Sequence, residues 1–79
     1  QSDGAAMNKA IIVDNAHLAF HYRRAFPDHL VFAVGQAMSG HRFNRIISVV
    51  FPRDVRDKQW LDIFVALKLR PGGEFIDLS

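Results

Sequence analysis

Short apolar runs alternate along this chain with longer segments in which apolar residues recur at helical spacing. The short runs are rich in β-branched residues, as buried strands are, and the longer segments are typical of helices packed on a sheet. The runs predicted as strands are 10–14, 30–34, 45–51 and 74–78, and the predicted helices are 16–25 and 55–69. This β-α-β-β-α-β order predicts a small α/β domain with a mostly parallel sheet.

Polar and helix-breaking residues stand at the ends of these segments. Asp14 and Asn15 precede the first helix and Asp54 precedes the second, where a side-chain oxygen can accept a hydrogen bond from an unpaired backbone N–H. Pro27 ends the first helix, and the sequence Arg-Pro-Gly-Gly at 70–73 predicts a stop and a turn after the second.

Placing the first strand in the centre of the sheet gives the spatial order 2-1-3-4, in two or three layers. The nine-residue link Gln36–Asn44 is short for a parallel crossover, so an antiparallel arrangement of strands two and three stays open. The residues expected to be buried are the apolar members of the strands and of one helical stripe. They are Ile11, Ile12, Val13, Val31, Ile46, Ile47, Val49, Leu61, Phe64 and Val65.

The length and composition indicate one domain. The 79 residues divide into 1–6, interpreted as an expression remnant or disordered tail before Met7, and 7–79, a single α/β domain. The chain has no cysteine, which excludes disulfides and fits a cytoplasmic protein. No apolar run approaches the roughly 20 residues that span a bilayer, so we expect no membrane contact. Apolar residues make up 49% of the chain and must supply its stability.

Basic residues interleaved with an aromatic one suggest one possible function. The formal net charge is only +2, so charge alone does not indicate nucleic acid. Arg42, Phe43 and Arg45, together with Arg53 and Arg56, could nevertheless grip phosphates and stack a base. In the alternative interpretation, which we favour, Phe43 packs inside and the arginines are solvated.

The segment 43–76, FNRIISVVFPRDVRDKQWLDIFVALKLRPGGEFI, resembles the second half of class I S-adenosylmethionine-dependent methyltransferases. The similarity lies in a strand ending near Pro52, a crossover helix, and a Leu-Arg-Pro-Gly-Gly turn at 69–73 into the next strand. It implies a Rossmann-like architecture. The family's glycine-rich loop is absent, since Asp14-Asn15-Ala16-His17 stands in its place, and Gly35-Gln36 stands where the family has an acidic residue for the cofactor ribose.

The first strand, Lys-Ala-Ile-Ile-Val at 9–13, follows soon after a methionine. In this and in its length the chain is similar to very short Rossmann-like proteins of unknown function encoded by bacteriophages. The resemblance implies a small phage-encoded accessory protein.

Polar residues at the ends of the first three strands form a candidate ligand pocket. Parallel sheets bind ligands at their carboxyl edge, and helix N-termini there favour anions. The candidates are Asp14, Asn15, Gly35, Gln36 and Asp54. The simpler interpretation, which we favour, is that these residues are helix caps and turn residues.

Two histidines on the first helix raise the question of a metal site. His17 and His21 are four residues apart and could face one metal ion with Asp14, but a solvated helix face explains them better. We therefore expect no metal and no cofactor.

The second helix carries more apolar residues than one sheet face can cover. If Leu61, Phe64 and Val65 face the sheet, the adjoining face presents Trp60, Ile63 and Leu67. An aromatic residue beside two aliphatic ones is typical of an interface. In the alternative interpretation, the first helix or the C-terminal strand covers these residues within the monomer. With no catalytic set in view, the sequence indicates a non-enzymatic accessory protein that binds a protein partner or forms a homodimer. The alternatives are the nucleic-acid-binding surface and a degenerate methyltransferase-like domain.

Overall fold

The computed structural model describes residues 8–36 and 42–78. Residues 1–7 lie outside this range, so the interpretation of 1–6 as a remnant or tail stays an expectation. The elements follow the predicted order. They are β1 (Lys9–Val13), α1 (Ala16–Ala25), β2 (Leu30–Ala33), β3 (Phe43–Ser48), α2 (Val55–Lys68) and β4 (Leu69–Asp77).

The four strands form one sheet in the order β2-β1-β3-β4, with every pair parallel. This confirms the predicted order. It also removes the antiparallel alternative, because β2 and β3 do not pair with each other and both run parallel to β1. The domain is thus a small Rossmann-like β-α-β-β-α-β fold.

Apolar residues cover both faces of the sheet, one helix to each face, so the fold has three layers. One cluster contains Ile12 and Ile46 under Phe64 of α2. The other contains Ile11 and Val13 under Ala19 of α1. The connection from β1 to β2 and the connection from β3 to β4 run in opposite directions across the sheet. Because both crossovers are right-handed, their helices lie on opposite faces.

A bulge at the start of β3 determines where Phe43 lies. The backbone N–H groups of Asn44 and Arg45 both donate to the carbonyl of Asn8, at 2.7 and 3.4 Å. Two residues thus oppose one, as in a β-bulge. The extra residue breaks the alternation of the strand, and Phe43 points to the same face as Ile46.

The last strand is longer than the sequence predicted. Residues 70–73 were expected to form a turn before the strand, but β4 begins at Leu69, directly after α2. Leu69 pairs with Phe43 and Glu74 pairs with Arg45, so the Pro-Gly-Gly segment is an irregular insertion in the ladder. Gly72 has φ of +80°, which a glycine adopts without strain.

Seven of the ten residues expected in the core are buried, and Ile47, Val49 and Val65 are half-buried. Ile47 and Val49 lie on the α1 face of β3, beside the helix rather than beneath it. In the described part of the chain, neither helix has the length and apolar content needed to cross a bilayer.

Candidate functional site

The polar residues at the carboxyl edge of the sheet are used in local hydrogen bonds. Asn15 Oδ1 accepts from the Leu18 N–H at 2.9 Å and caps α1. Asp54 Oδ1 accepts from the Asp57 N–H at 3.0 Å and caps α2. Both residues therefore act as helix caps.

Gly35 and Gln36 form the turn that leaves β2. Gly35 has φ of +87°, and the Gln36 side chain accepts a hydrogen bond from the Ala33 N–H at 3.0 Å. These two residues shape the chain reversal at the edge of the sheet, away from the crevice between β1 and β3.

That crevice is where the strand connections diverge, and such a switch point is where doubly wound folds bind ligands. Here Asp14 Oδ1 accepts a hydrogen bond from the backbone N–H of Phe51 at 3.2 Å. The bond joins the end of β1 to the segment after β3. Asp14 thus bridges the crevice between the described parts of β1 and β3.

The basic residues of the nucleic-acid hypothesis lie at opposite edges of the sheet. Arg42 and Arg45 flank the start of β3, whereas Arg53 and Arg56 follow its end and are exposed near the start of α2. The length of β3, about 20 Å, separates Arg42 from the end of the strand that Arg53 and Arg56 follow, whereas Arg45 lies within the strand. The four arginines are thus spread along β3 instead of gathered at one end.

The aromatic member of that set is inside the core, which corrects the base-stacking hypothesis for this residue. Phe43 is fully buried, with its ring 5.9 Å from Phe32 and 6.3 Å from Phe64 between centroids. No base can reach it. Arg45 is partly engaged, since its Nε donates to Glu74 Oε1 at 3.1 Å.

The predicted interface on α2 consists of Trp60, Ile63 and Leu67, and these residues differ in their exposure to solvent. Trp60 is half-buried and stacks on Phe64 with centroids 5.2 Å apart, so it packs against the core. Ile63 and Leu67 are 50% and 55% exposed. The surface that remains available is this aliphatic pair beside the edge of the indole.

An apolar groove opens on the other face of the sheet, where α1 covers β2 and β1 but leaves β3 open beside it. Its volume is about 590 Å³. Ile11, Ile47 and Val49 form its floor. Tyr22 of α1 and Phe26, the residue that caps the C-terminus of α1, form one wall. The two wall rings stack at 6.0 Å, which holds the wall as a rigid apolar surface.

The ends of the groove differ in chemistry. Arg45 lies at the amino end of the strands and Leu78 at the carboxyl end, where its side chain is 64% exposed. His21 and His29 complete the rim. Among the described residues, no aspartate or glutamate side chain lines this groove. Beside the apolar floor, Arg45 is ion-paired with Glu74 and the His29 ring is hydrogen-bonded to Asp28.

One ion-pair cluster stands beside the groove. Asp28 accepts hydrogen bonds from the Lys9 ammonium at 2.9 Å and from the His29 ring at 2.8 Å. These partners, Lys9 foremost, lower the pKa of Asp28 to about 2. The carboxylate is ionised at neutral pH and fixes the His29 ring at the edge of the groove.

The two histidines that the sequence raised as metal ligands lie on the exposed face of α1. His17 and His21 are exposed and their rings meet edge to face at 4.8 Å. Within residues 8–36 and 42–78, no three His, Asp or Glu side chains are placed to hold a metal ion.

The groove was not predicted from the sequence, because its floor residues have the apolar pattern of fully buried strand residues. Ile47 and Val49 belong to a continuous apolar strand that predicts cover on both faces. The available signal was a count of helices, since one short helix on a face cannot cover four strands.

Comparison with protein-family models, with curated proteins and with solved structures found no match to this chain.

Proposed function

We propose that this protein is a small non-enzymatic accessory module that acts by binding another protein. The observation that carries the proposal is the apolar groove beside α1. Ile47 and Val49 on its floor are only half-buried and Phe26 at its wall is 43% exposed, so apolar area stays in contact with water, and contiguous areas of this kind mark interaction sites.

The carboxyl edge supports a binding function over catalysis. Asn15 and Asp54 are engaged as helix caps, and Asp14 bridges the crevice in which related architectures hold a nucleotide or cofactor. These three polar side chains are thus engaged by the fold itself.

The proposal also covers the cellular compartment and the biological role of the protein. The lack of cysteine favours the cytoplasm, and the similarity of the first strand to those of short bacteriophage proteins favours a phage accessory role. The partner is then a protein that the same cell contains.

Affinity capture from extracts of the source cells tests the proposal, using two variants with matched exposure. Leu78→Asp places a charge at the rim of the groove, and Val55→Asp places one on α2, where the wild-type side chains are 64% and 70% exposed. We expect a protein that the wild type and Val55→Asp retain, that Leu78→Asp loses, and that nuclease treatment does not release.

Two results would overturn the proposal. Release of all bound material by nuclease would indicate nucleic acid as the ligand. Equal retention by Leu78→Asp and wild type would show that the groove is not the binding surface.

The exposed pair on α2 supports a second contact, between two copies of the chain. Ile63 and Leu67 lie one turn apart and are both at least half exposed. In a homodimer, each pair would be covered by the same surface of the second copy. Sedimentation equilibrium should show concentration-dependent dimers that Ile63→Asp converts to folded monomers, and a wild type that stays monomeric at all concentrations would exclude this contact.

A further inference from the structure

We propose that Arg23 and Gln36 close the outer edge of β2 against a β-strand from a second copy of this chain. The two side chains bond backbone groups that such a strand would need, and they thereby stop the sheet from extending into an assembly of copies. No residue of β2 lines the groove beside α1, so this edge acts independently of the proposed function.

The sequence of β2 favours pairing with a further strand. Five of the six residues in 29–34, HLVFAV, are apolar, two of them are valine and one is phenylalanine, and the segment contains no proline or glycine. Segments of this composition pair readily with copies of themselves where they lie at the edge of a sheet. β2 is such an edge strand, because it is first in the order β2-β1-β3-β4 and pairs with β1.

The backbone groups of Val31 and Ala33 point away from β1. The N–H of Val34 donates to the carbonyl of Val13 in β1 at 3.0 Å, and alternate residues of a strand turn their backbone groups to opposite sides. Val31 and Ala33 therefore present two N–H groups and two carbonyls at the outer edge. A second β2, antiparallel across a twofold axis, would pair Val31 of each copy with Ala33 of the other through four bonds.

Three of these four backbone groups are already bonded within the chain. Arg23, in the last turn of α1, donates from Nη2 to the Val31 carbonyl at 3.0 Å. The Ala33 N–H donates to the side-chain oxygen of Gln36 at 3.0 Å, and the Ala33 carbonyl accepts from the Gln36 N–H at 3.0 Å. Every bond to a second copy would therefore involve a backbone group that already has a partner, and the two side chains lie at the edge that the second strand would occupy.

Sedimentation velocity on a variant with both Arg23→Ala and Gln36→Ala tests the proposal. An Ile63→Asp background removes the proposed α2 contact, so any association that remains has another cause. We expect the association constant of the double variant to exceed that of the background about 100-fold. This is about threefold for each of the four side-chain bonds, two in each copy, that no longer compete with strand pairing.

Arg24→Ala provides the matched control in the same background. Arg24 adjoins Arg23 on α1 and carries the same charge, but its guanidinium lies over the Phe20 ring, 5.8 Å from the centroid. Its loss should leave the background monomeric. Gln36→Glu keeps an oxygen that can accept from the Ala33 N–H and should also leave the background monomeric.

Hydrogen exchange of the Val31 amide, followed by NMR, locates the new contact. Strand pairing would place this outward N–H in a bond to the second copy, so its exchange in the double variant should slow as the protein concentration rises. Exchange in the background should not depend on concentration.

Three results would overturn the proposal. They are a double variant that is folded by circular dichroism and stays monomeric, assembly without slower exchange at Val31, and equal assembly of the Arg24→Ala control. If the double variant does not fold, Arg23→Ala and Gln36→Ala made separately should each raise the association constant about tenfold. Folded single variants that both stay monomeric would contradict the proposal equally.

Discussion

Replacing Phe43 should distinguish a core position of this side chain from a position on the surface. The side chain is fully buried between Phe32 and Phe64. Burial of about 150–200 Å² of phenylalanine at about 25 cal/mol per Å² contributes about 4–5 kcal/mol. Phe43→Ala should therefore lower the free energy of unfolding by about 3–5 kcal/mol, which is most of the stability of a domain this small.

Phe51 provides the matched control, since its side chain is 63% exposed. Phe51→Ala should change the free energy of unfolding by no more than about 0.5 kcal/mol. Urea denaturation followed by the fluorescence of Trp60, the single tryptophan, measures both variants. If Phe43→Ala does not fold, Phe43→Leu should fold with a loss of about 1–2 kcal/mol. Equal midpoints for the Phe43 and Phe51 variants would refute the buried position and the bulge that produces it.

Three further predictions concern pH, a glycine and cofactors. NMR titration should find the Asp28 carboxyl with a pKa of about 2 instead of the usual 3.8, and Lys9→Met should raise it. Because the folded-state pKa is depressed, the stability contributed by this carboxylate is present above about pH 4 and is lost as the pH falls towards 2. Gly73→Ala should lower the free energy of unfolding by about 1–3 kcal/mol in thermal melts, since the new Cβ would lie 3.0 Å from the Asn44 carbonyl oxygen; an unchanged melting point would contradict the insertion in β4. Calorimetry should show no binding of S-adenosylmethionine or NAD tighter than about 10 μM, because Asp14 occupies the position of the glycine loop; a tighter Kd would favour a methyltransferase-like function.

Local signals in the sequence were enough to predict the elements and their order. The caps Asn15 and Asp54 sit where the sequence placed them, and helix 16–25 has its predicted bounds. The sheet order followed from the β-α-β order of the elements, because right-handed crossovers leave few arrangements for four parallel strands.

The features that the sequence did not reveal depend on register and on what covers a surface. Strict alternation along β3 would place Phe43 on the same face as Arg45. The shared carbonyl of Asn8 and the register shift between β3 and β4 show the bulge that moves it. The exposure of Ile47 depends on the lateral position of α1 over the sheet, which no residue of β3 encodes. The sequence left open whether Trp60 faces a partner or packs within the monomer, and in the structure it is half-buried and stacks on Phe64.

Site-specific photo-crosslinking in the source cells tests the central claim, a protein partner in the groove, most directly. Benzoylphenylalanine in place of Phe26, which is 43% exposed at the wall of the groove, keeps an aromatic side chain at that position. The same analogue in place of Phe51 probes the carboxyl edge. We predict a covalent adduct with a different protein from the Phe26 position and none from the Phe51 position. Adducts at Phe51 alone, or adducts at Phe26 with nucleic acid or with nothing, would contradict the account.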